Sequence, residues 1–337
     1  MHILIIGGTG FSGYFAAETA LAQGHTLTLF NRGRRDREAF PQAEHLTGDR
    51  TTDDIEQLRG RSFDAVIDMV GYLPKHVKRS VELLKSNVGC YLLISSCSVY
   101  TEPYEPGRAE DGPIALHGDP EAEEVTGENY GPLKVLCEQA VQDAFGDRAL
   151  IVRPGLIVGP RDPTNRFDYW VERIAAGGEV LAPSSPSYPV QFVDARDLGA
   201  WLVQALGANL SGVYNAICLP LNLGDLLESC RRVSGSDATF TYVGEAFLTA
   251  QGVVPWSDLP LWLPSDQAGF MQVDGSKAAA AGLNYRAVDD TVRGTLDWVN
   301  ANRATFEQRR TALPREREAQ LRAAWHREAD HENTPQA

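Results

Sequence analysis

The first thirteen residues, Met1-His-Ile-Leu-Ile-Ile-Gly-Gly-Thr-Gly-Phe-Ser-Gly13, constrain this chain more than any other stretch. The apolar run Ile3 to Ile6 reads as a strand buried on both faces, leading into Gly7, Gly10 and Gly13, with a helical pattern from Phe11. A strand, a glycine turn and a helix start suit an anion. The free N–H groups and the dipole of a helix N-terminus favour negative charge, and glycine lets the backbone come close. The spacing is G-x-x-G-x-x-G, one residue longer in its first gap than the commonest dinucleotide fingerprint. No Gly-Lys-Ser/Thr follows, which excludes a nucleotide-hydrolysing P-loop. The plain alternative is a tight corner that packs a helix on a sheet.

The helical pattern runs from Tyr14 to Gln23 and stops at Gly24, and Thr26 to Phe30 follows as a second strand. This completes a β-α-β unit, for which a right-handed crossover is expected. A carboxylate at the end of the second strand would bind an adenosine ribose 2′-hydroxyl, but Asn31-Arg32-Gly33-Arg34-Arg35 stands there. An amide followed by arginines suits a 2′-phosphate, which favours NADP(H) while leaving NAD(H) possible. The alternative is a solvated basic turn.

Further strands are expected near Leu46, over Phe63 to Val70, over Cys90 to Tyr100 and over Ala149 to Val152. A helix carrying Val77, Val81, Leu83 and Leu84 separates the second and third of these. The third breaks into hydroxyls, Ser95-Ser96-Cys97-Ser98, at its carboxyl end, where an open parallel sheet binds ligands. Residues 101–129 are polar, acidic and proline-rich, and read as a flap over that crevice or a surface loop. A helix from Tyr130 to Phe145 is expected, with Asn129 as N-cap and Pro132 in the first turn. Beyond Pro160 the alternation loosens. Helices are read at Trp170 to Ala176 and Asp197 to Leu206, and strands at Tyr188 to Val193 and Gly212 to Ala216.

The fold class is therefore α/β, a Rossmann-type doubly wound parallel sheet with a smaller C-terminal substrate-binding lobe. Residues 1–160 form the dinucleotide domain, whose core continues at about 188–216. The lobe takes 161–187 and 217–302, and 303–337 form a charged helical or disordered tail anchored by Leu313, Leu321 and Trp325.

The formal net charge of −14 argues against nucleic-acid or anionic-membrane partners, so a small-molecule substrate is expected. Five cysteines without a C-x-x-C pair read as reduced thiols. With no signal peptide and no apolar run long enough to span a bilayer, the expected location is cytoplasmic.

Tyr130 and Lys134 lie four apart, on one face of one helix. An adjacent ammonium stabilises a phenolate and pulls a tyrosine pKa toward neutrality, which makes the pair a candidate acid/base. The chain has eleven tyrosines and only five lysines, so this spacing after a dinucleotide turn is informative.

The turn Gly7-Gly-Thr-Gly-Phe-Ser-Gly13, the Ser95-to-Tyr100 strand end, Tyr130-Gly-Pro-Leu-Lys134 and Arg153-Pro-Gly-Leu-Ile-Val-Gly-Pro160 together resemble the extended short-chain dehydrogenases/reductases of the NAD-dependent epimerase/dehydratase type. Gln191-Phe-Val-Asp194, Tyr214-Asn215 and Val273-Asp274 extend the likeness. Within the family the chain looks most like a bacterial reductase or isoflavone-reductase-like branch, with some likeness to plastid RNA-associated relatives.

The resemblance implies that Tyr130 is the acid/base, that Lys134 binds the nicotinamide ribose, and that Ser96 orients the substrate oxygen. It places Gly7, Thr9, Gly10, Phe11, Ser12 and Gly13 at the phosphates, with Asn31, Arg32 and Arg35 at the ribose end. Asp49 and Arg50 would lie by the adenine, Met69, Val70 and Gly71 along the cofactor, and Pro154 and Leu156 by the nicotinamide. Sugar-nucleotide dehydratases carry an Asp-Glu pair after the hydroxyl residue; Cys97-Ser98 stand here, which argues against 4,6-dehydration. The implied activity is hydride transfer at a secondary alcohol or ketone of a sugar-like or nucleotide-sugar-like substrate, by an oxidoreductase or epimerase. Alternatives are reduction of an aromatic metabolite, suggested by Trp256 to Trp262, or a non-catalytic NAD(P)-binding regulatory or RNA-associated protein. Arg161, Arg166, Trp170 and Arg196 are candidate substrate contacts, and family members often dimerise through helices near 75–88 and 130–145.

Overall fold

The structure, a computed structural model, describes residues 1–36, 38–303 and 312–332, which divide into two compact units. The first comprises Met1–Ile157, Phe192–Leu219 and Val273–Tyr285; the second comprises Val158–Gln191, Pro220–Gln272 and Arg286–Ala337.

In the first unit, β1 (His2–Ile6), β2 (Thr26–Asn31), β3 (Glu44–Thr47), β4 (Phe63–Asp68), β5 (Val88–Ile94) and β6 (Ala149–Pro154) join the strand Gly212–Ala216 in one sheet. The order from that last strand is β6, β5, β4, β1, β2, β3, and every neighbouring pair is parallel. The order reverses beside β1. A crevice therefore opens at the carboxyl ends of β1 and β4, where ligands of such sheets bind.

Both faces of the sheet are covered, as continuous apolar strands require. Ile3, Ile5, Leu27, Leu29 and Ile67 pack beneath Ala16, Ala17 and Ala20 of α1 (Phe11–Ala22) and Trp201 and Leu202 of the helix Ala195–Gly207. The small residues let these two helices approach closely, for a Cβ on Gly199 would lie 2.7 Å from the Phe15 backbone. On the other face Leu4, Ile6, Val66 and Leu93 meet Val77, Val81 and Leu84 of α2 (Pro74–Leu84) and Cys137, Val141 and Phe145 of α3 (Tyr130–Phe145). Each such side chain, fully buried, contributes about 1.5–3 kcal/mol.

One local expectation is corrected. Asn129 does stand at the N-cap of α3, but its side chain makes no capping bond; its Oδ1 accepts from Thr126 N at 2.7 Å and its Nδ2 donates to Glu124 O at 3.0 Å, so it closes the preceding turn. The side chain has a nearer partner behind it than ahead of it. Within 101–129 the first half is stitched down. Arg108 donates to the carbonyls of Thr101 and Pro103, Asp274 N donates to Arg108 O at 2.9 Å, and Tyr100 bridges Ile114.

The second unit holds the helices Phe167–Ala175, Leu223–Ser234 and Val288–Ala301 and a parallel pair, Glu179–Pro183 with Thr239–Val243. Of the strand read at Tyr188 to Val193, the part in this unit is only Pro189–Val190, paired antiparallel with Leu221–Asn222. The charged C-terminal stretch forms the helix Arg315–Glu332. Leu313 and Leu321 are buried there, and Glu318 accepts from Arg173 Nε at 2.6 Å and Leu181 N at 2.9 Å. Residues 304–311 and 333–337 of the expected tail lie outside the described residues.

Candidate active site

The glycine turn assembles as its sequence requires. Gly7 has φ +92°, a conformation open to glycine, and donates its N–H to Phe30 O at 2.9 Å. A Cβ on Gly13 would lie 2.9 Å from Gly7 O, so α1 can start this close to β1 only with glycine there. Gly10 differs. It is the N-cap of α1 with φ −102°, and a Cβ on it would meet only Arg35 Nη1, at 4.0 Å.

Nothing in the fold therefore demands glycine at position 10, and the space beside it faces a guanidinium. An open helix N-terminus with an arginine over it fits the pyrophosphate of a dinucleotide. Gly10→Ala is expected to change stability by less than about 1 kcal/mol while weakening dinucleotide binding at least about tenfold, read by calorimetric titration. Equal affinity in the variant would show that the turn only packs.

At the ribose end, Asn31 Oδ1 accepts from Gly33 N at 2.8 Å, and Arg32 Nη1 lies 3.9 Å from Asp49 Oδ2 at the surface. The Thr51 backbone N–H holds the Asp49 carboxyl below its usual range, with Arg32 and Arg34 adding to the effect. Arg35 is placed over the glycine turn and not with Arg32.

The expectation for Arg50 is corrected at its side chain. Its Nη1 bonds both oxygens of Asp68, at 2.7 and 2.9 Å, and its Nη2 bonds Ser80 Oγ and His76 O. Asp68 is fully buried and takes Tyr91 OH as well, so this guanidinium compensates an interior carboxylate. It is not available to an adenine.

Met69, Val70 and Gly71 leave β4 beside the glycine turn, with Val70 Cγ1 2.8 Å from a Cβ built on Gly7. At the end of β6, Pro154 and Leu156 lie on the same carboxyl edge of the sheet, and Leu156 O accepts from Val193 N at 2.8 Å.

Tyr130 opens α3, half-buried. Gly131 allows this start, because a Cβ there would come 2.1 Å from Ser98 O. Gly131→Ala is thus expected to lower the thermal midpoint and the turnover together, since α3 must shift to relieve a backbone contact. A folded variant of unchanged midpoint would refute the contact.

Lys134 is 2% exposed and donates to Gly71 O at 2.8 Å and Ile94 O at 2.9 Å. Its Nζ lies 4.7 Å from the Tyr72 ring centroid and 5.7 Å from that of Tyr130. Burial pushes its pKa down to about 8, opposed by Cys137, Asp68 and Glu138. Ser96 Oγ accepts from Ser98 N and donates to Ser98 Oγ, both at 3.1 Å, and caps the short turn Cys97–Val99.

Sequence reasoning missed two features. Tyr72 gave no signal beyond following Gly71. The second is a buried polar network whose signal was present, because Glu138 continues the Tyr130–Lys134 face at a further four residues. Glu138 takes Ser95 Oγ and both arms of Arg153, at 2.9 and 2.7 Å. Arg153 also donates to Tyr100 OH at 3.1 Å and Glu110 O at 3.0 Å, and Tyr100 OH donates to Asn215 Oδ1 at 2.7 Å. The network locks the carboxyl ends of β5 and β6 to α3.

Of the candidate substrate contacts, Trp170 is fully buried and donates to Pro260 O at 2.8 Å, and Arg161 lies over the Trp298 ring at 4.9 Å. Arg166 Nε bonds Thr164 Oγ1 at 2.9 Å, and Arg196 pairs with Asp194 at 2.7 Å. Trp170 therefore serves packing.

A parallel sheet reversing at β1, a glycine cradle at that reversal and a Tyr-Lys pair on the adjoining edge define a dinucleotide-binding α/β fold. Residues 3–216 match the model of the NAD dependent epimerase/dehydratase family, and the chain belongs to that family.

Its fold is that of UDP-glucuronic acid 4-epimerase from Bacillus cereus, solved with NAD (TM-score 0.66, 17% identity, 89% of this chain and 99% of that one). The Bordetella bronchiseptica enzyme WbmH, solved with NAD+, is similar in the same degree (TM-score 0.66, 17% identity, 89% and 99%). A curated relative is the chloroplast stem-loop binding protein of 41 kDa b of Arabidopsis thaliana, 27% identical over 220 residues, or 61% of this chain. The match spans 55% of that relative's length. Among the described residues no helix is long and apolar enough to cross a membrane.

Proposed function

We propose that this chain is a nicotinamide-dinucleotide-dependent oxidoreductase or epimerase acting at a secondary alcohol or ketone of a sugar-like or nucleotide-sugar-like substrate. The observation that carries the reading is Lys134, buried and held by two carbonyls four residues from Tyr130 at the carboxyl edge of the sheet. Burying a lysine is costly, and ionisable groups in such environments cluster at functional sites.

The residues present fit the cofactor. The open space at Gly10 beneath Arg35 would take the pyrophosphate, Arg32 and Asp49 the adenosine ribose, and Lys134 the nicotinamide ribose. When bound, the nicotinamide supplies the carbon that accepts or donates hydride. Tyr130, as phenolate, takes the proton from the substrate hydroxyl in the oxidising direction and returns it in the reducing one. The Lys134 ammonium stabilises that phenolate. Ser96 Oγ holds the substrate oxygen as charge develops on it. Cys97 is buried with its thiol pushed up to about 12 by desolvation, and Ser98 is no acid, so these positions do not supply the acid of a dehydration.

NADP(H) is the favoured cofactor, on the strength of Arg32 and Arg34 at the end of β2, although the solved neighbours hold NAD. Thermal shift with NAD+, NADH, NADP+ and NADPH tests this. A ligand at 100 times its Kd adds about 2.7 kcal/mol of stability, and Arg32→Ala is expected to cost NADP(H) about tenfold in affinity and NAD(H) little. Stabilisation by NAD(H) alone would reverse the preference, and none by any of the four would overturn the enzyme reading.

A second reading, RNA association, is favoured by the chloroplast relative's name and opposed by the net charge of −14. Real phosphate contacts would give RNA binding that weakens steeply with salt. The aromatic-metabolite reading rests on less of the stretch than expected, since Leu259, Leu261 and Trp262 are buried in the second unit and Trp256 is partly buried.

A further inference from the structure

We propose that Tyr72 is a positioning residue for Lys134, its ring supplying the π face that keeps the buried ammonium charged beside Tyr130. The inference deepens the reading of Tyr130 and Lys134 as the working pair.

Lys134 has no salt-bridge partner among the described residues, although carboxylates are near. Asp68, at the end of β4, is committed to Arg50, Tyr91 OH and Val70 N. Glu138, on α3 itself, is committed to Arg153 and Ser95. Two of the three Lys134 N–H groups go to the carbonyls of Gly71 and Ile94. Two aromatic rings also face Nζ, that of Tyr72 at 4.7 Å and that of Tyr130 at 5.7 Å.

An ammonium within about 6 Å of a ring centroid is attracted to the negative face of the ring, and more strongly when desolvated. Tyr72 is the closer of the two, and the corner that follows β4 fixes its backbone. It directly follows Gly71, where a Cβ would come 2.5 Å from Leu93 Cδ1, and its N–H bonds Val70 O at 3.0 Å. The corner that supplies a carbonyl to Lys134 therefore supplies a ring as well. Tyr72 is also 48% exposed and belongs to none of the apolar clusters of the core.

The charge on Lys134 is a balance among groups on every element around it. Burial works against the ammonium, and Arg50 opposes it. Cys137, Asp68 and Glu138 favour it, and its pKa comes down to about 8. The loss of one more favourable contact would lower it further.

The test is the titration of Lys134 in the full chain without substrate, read by NMR on protein labelled with 13C at lysine Cε. The chain has five lysines, and the Lys134 signal is the one absent from Lys134→Arg. In Tyr72→Leu, which keeps apolar bulk and removes the π face, the midpoint is expected to fall by about half to one unit. In Tyr72→Phe it is expected to stay within about 0.2 units of the native value. The alkaline limb of turnover should move with it. An unchanged midpoint in Tyr72→Leu, or a raised one, would overturn the proposal, the latter showing that the ring serves only to keep water out. Should Tyr72→Leu fail to fold, Tyr72→Trp, with the stronger π face, must raise the midpoint, and a constant one overturns the proposal. The titration requires no turnover. Its failure is thus separable from failure of the proposed chemistry, which Tyr130→Phe decides.

Discussion

Tyr130→Phe is expected to lower turnover by about 10²–10⁴-fold while dinucleotide affinity stays within about threefold of the native value. The substitution removes one oxygen from a half-buried ring and leaves the 6.5 Å ring contact with Tyr72 and the two carbonyl bonds of Lys134 in place. A general acid/base acts in the transition state alone, so its removal should appear in kcat and not in cofactor binding. Stopped turnover with intact binding would mark Tyr130 as the proton carrier. Retained turnover on an identified substrate would remove the central step of the mechanism, whatever the cofactor.

The largest expected effect on stability belongs to Glu138. Glu138 and Arg153 form a two-armed ion pair with side chains 3% and 4% exposed. Glu138→Ala leaves a guanidinium uncompensated in the interior, a loss of about 3–5 kcal/mol. For a chain of this size the thermal midpoint should fall on the order of 10 °C. The double variant Glu138→Leu with Arg153→Met removes both charges and should be more stable than the single one, because the cost lies in the orphaned partner. A single variant within about 1 kcal/mol of native stability would show that water or another group compensates Arg153. Since Glu138 also takes the Ser95 hydroxyl, the single variant should loosen the strand end that carries Ser96.

Where an element rests on local chemistry, the sequence was sufficient. The apolar runs of β1, β2, β4 and β5, the glycine stop at Gly24 and the paired spacing of Tyr130 and Lys134 are properties of near neighbours in the chain. They led to the Rossmann-type sheet and to the family. Asn129 misled because two turns compete for one short side chain, and propensity does not say which nitrogen lies nearer.

The roles of charged residues were decided otherwise. Arg50 and Arg35 are both arginines near a motif. One is folded inward against Asp68, 18 positions away, and the other reaches back to Gly10. Arg153 meets Glu138 and Tyr100 only because β6 lies beside β5 in the sheet. The sequence by itself determined the periodicities, the turns and the placing of Tyr130 and Lys134 on one helix face, which arise from contacts a few residues apart. Tertiary structure alone decided which charges are spent on one another in the interior and which face the crevice. Desolvation and ion pairing depend on groups that the chain brings together from distant positions.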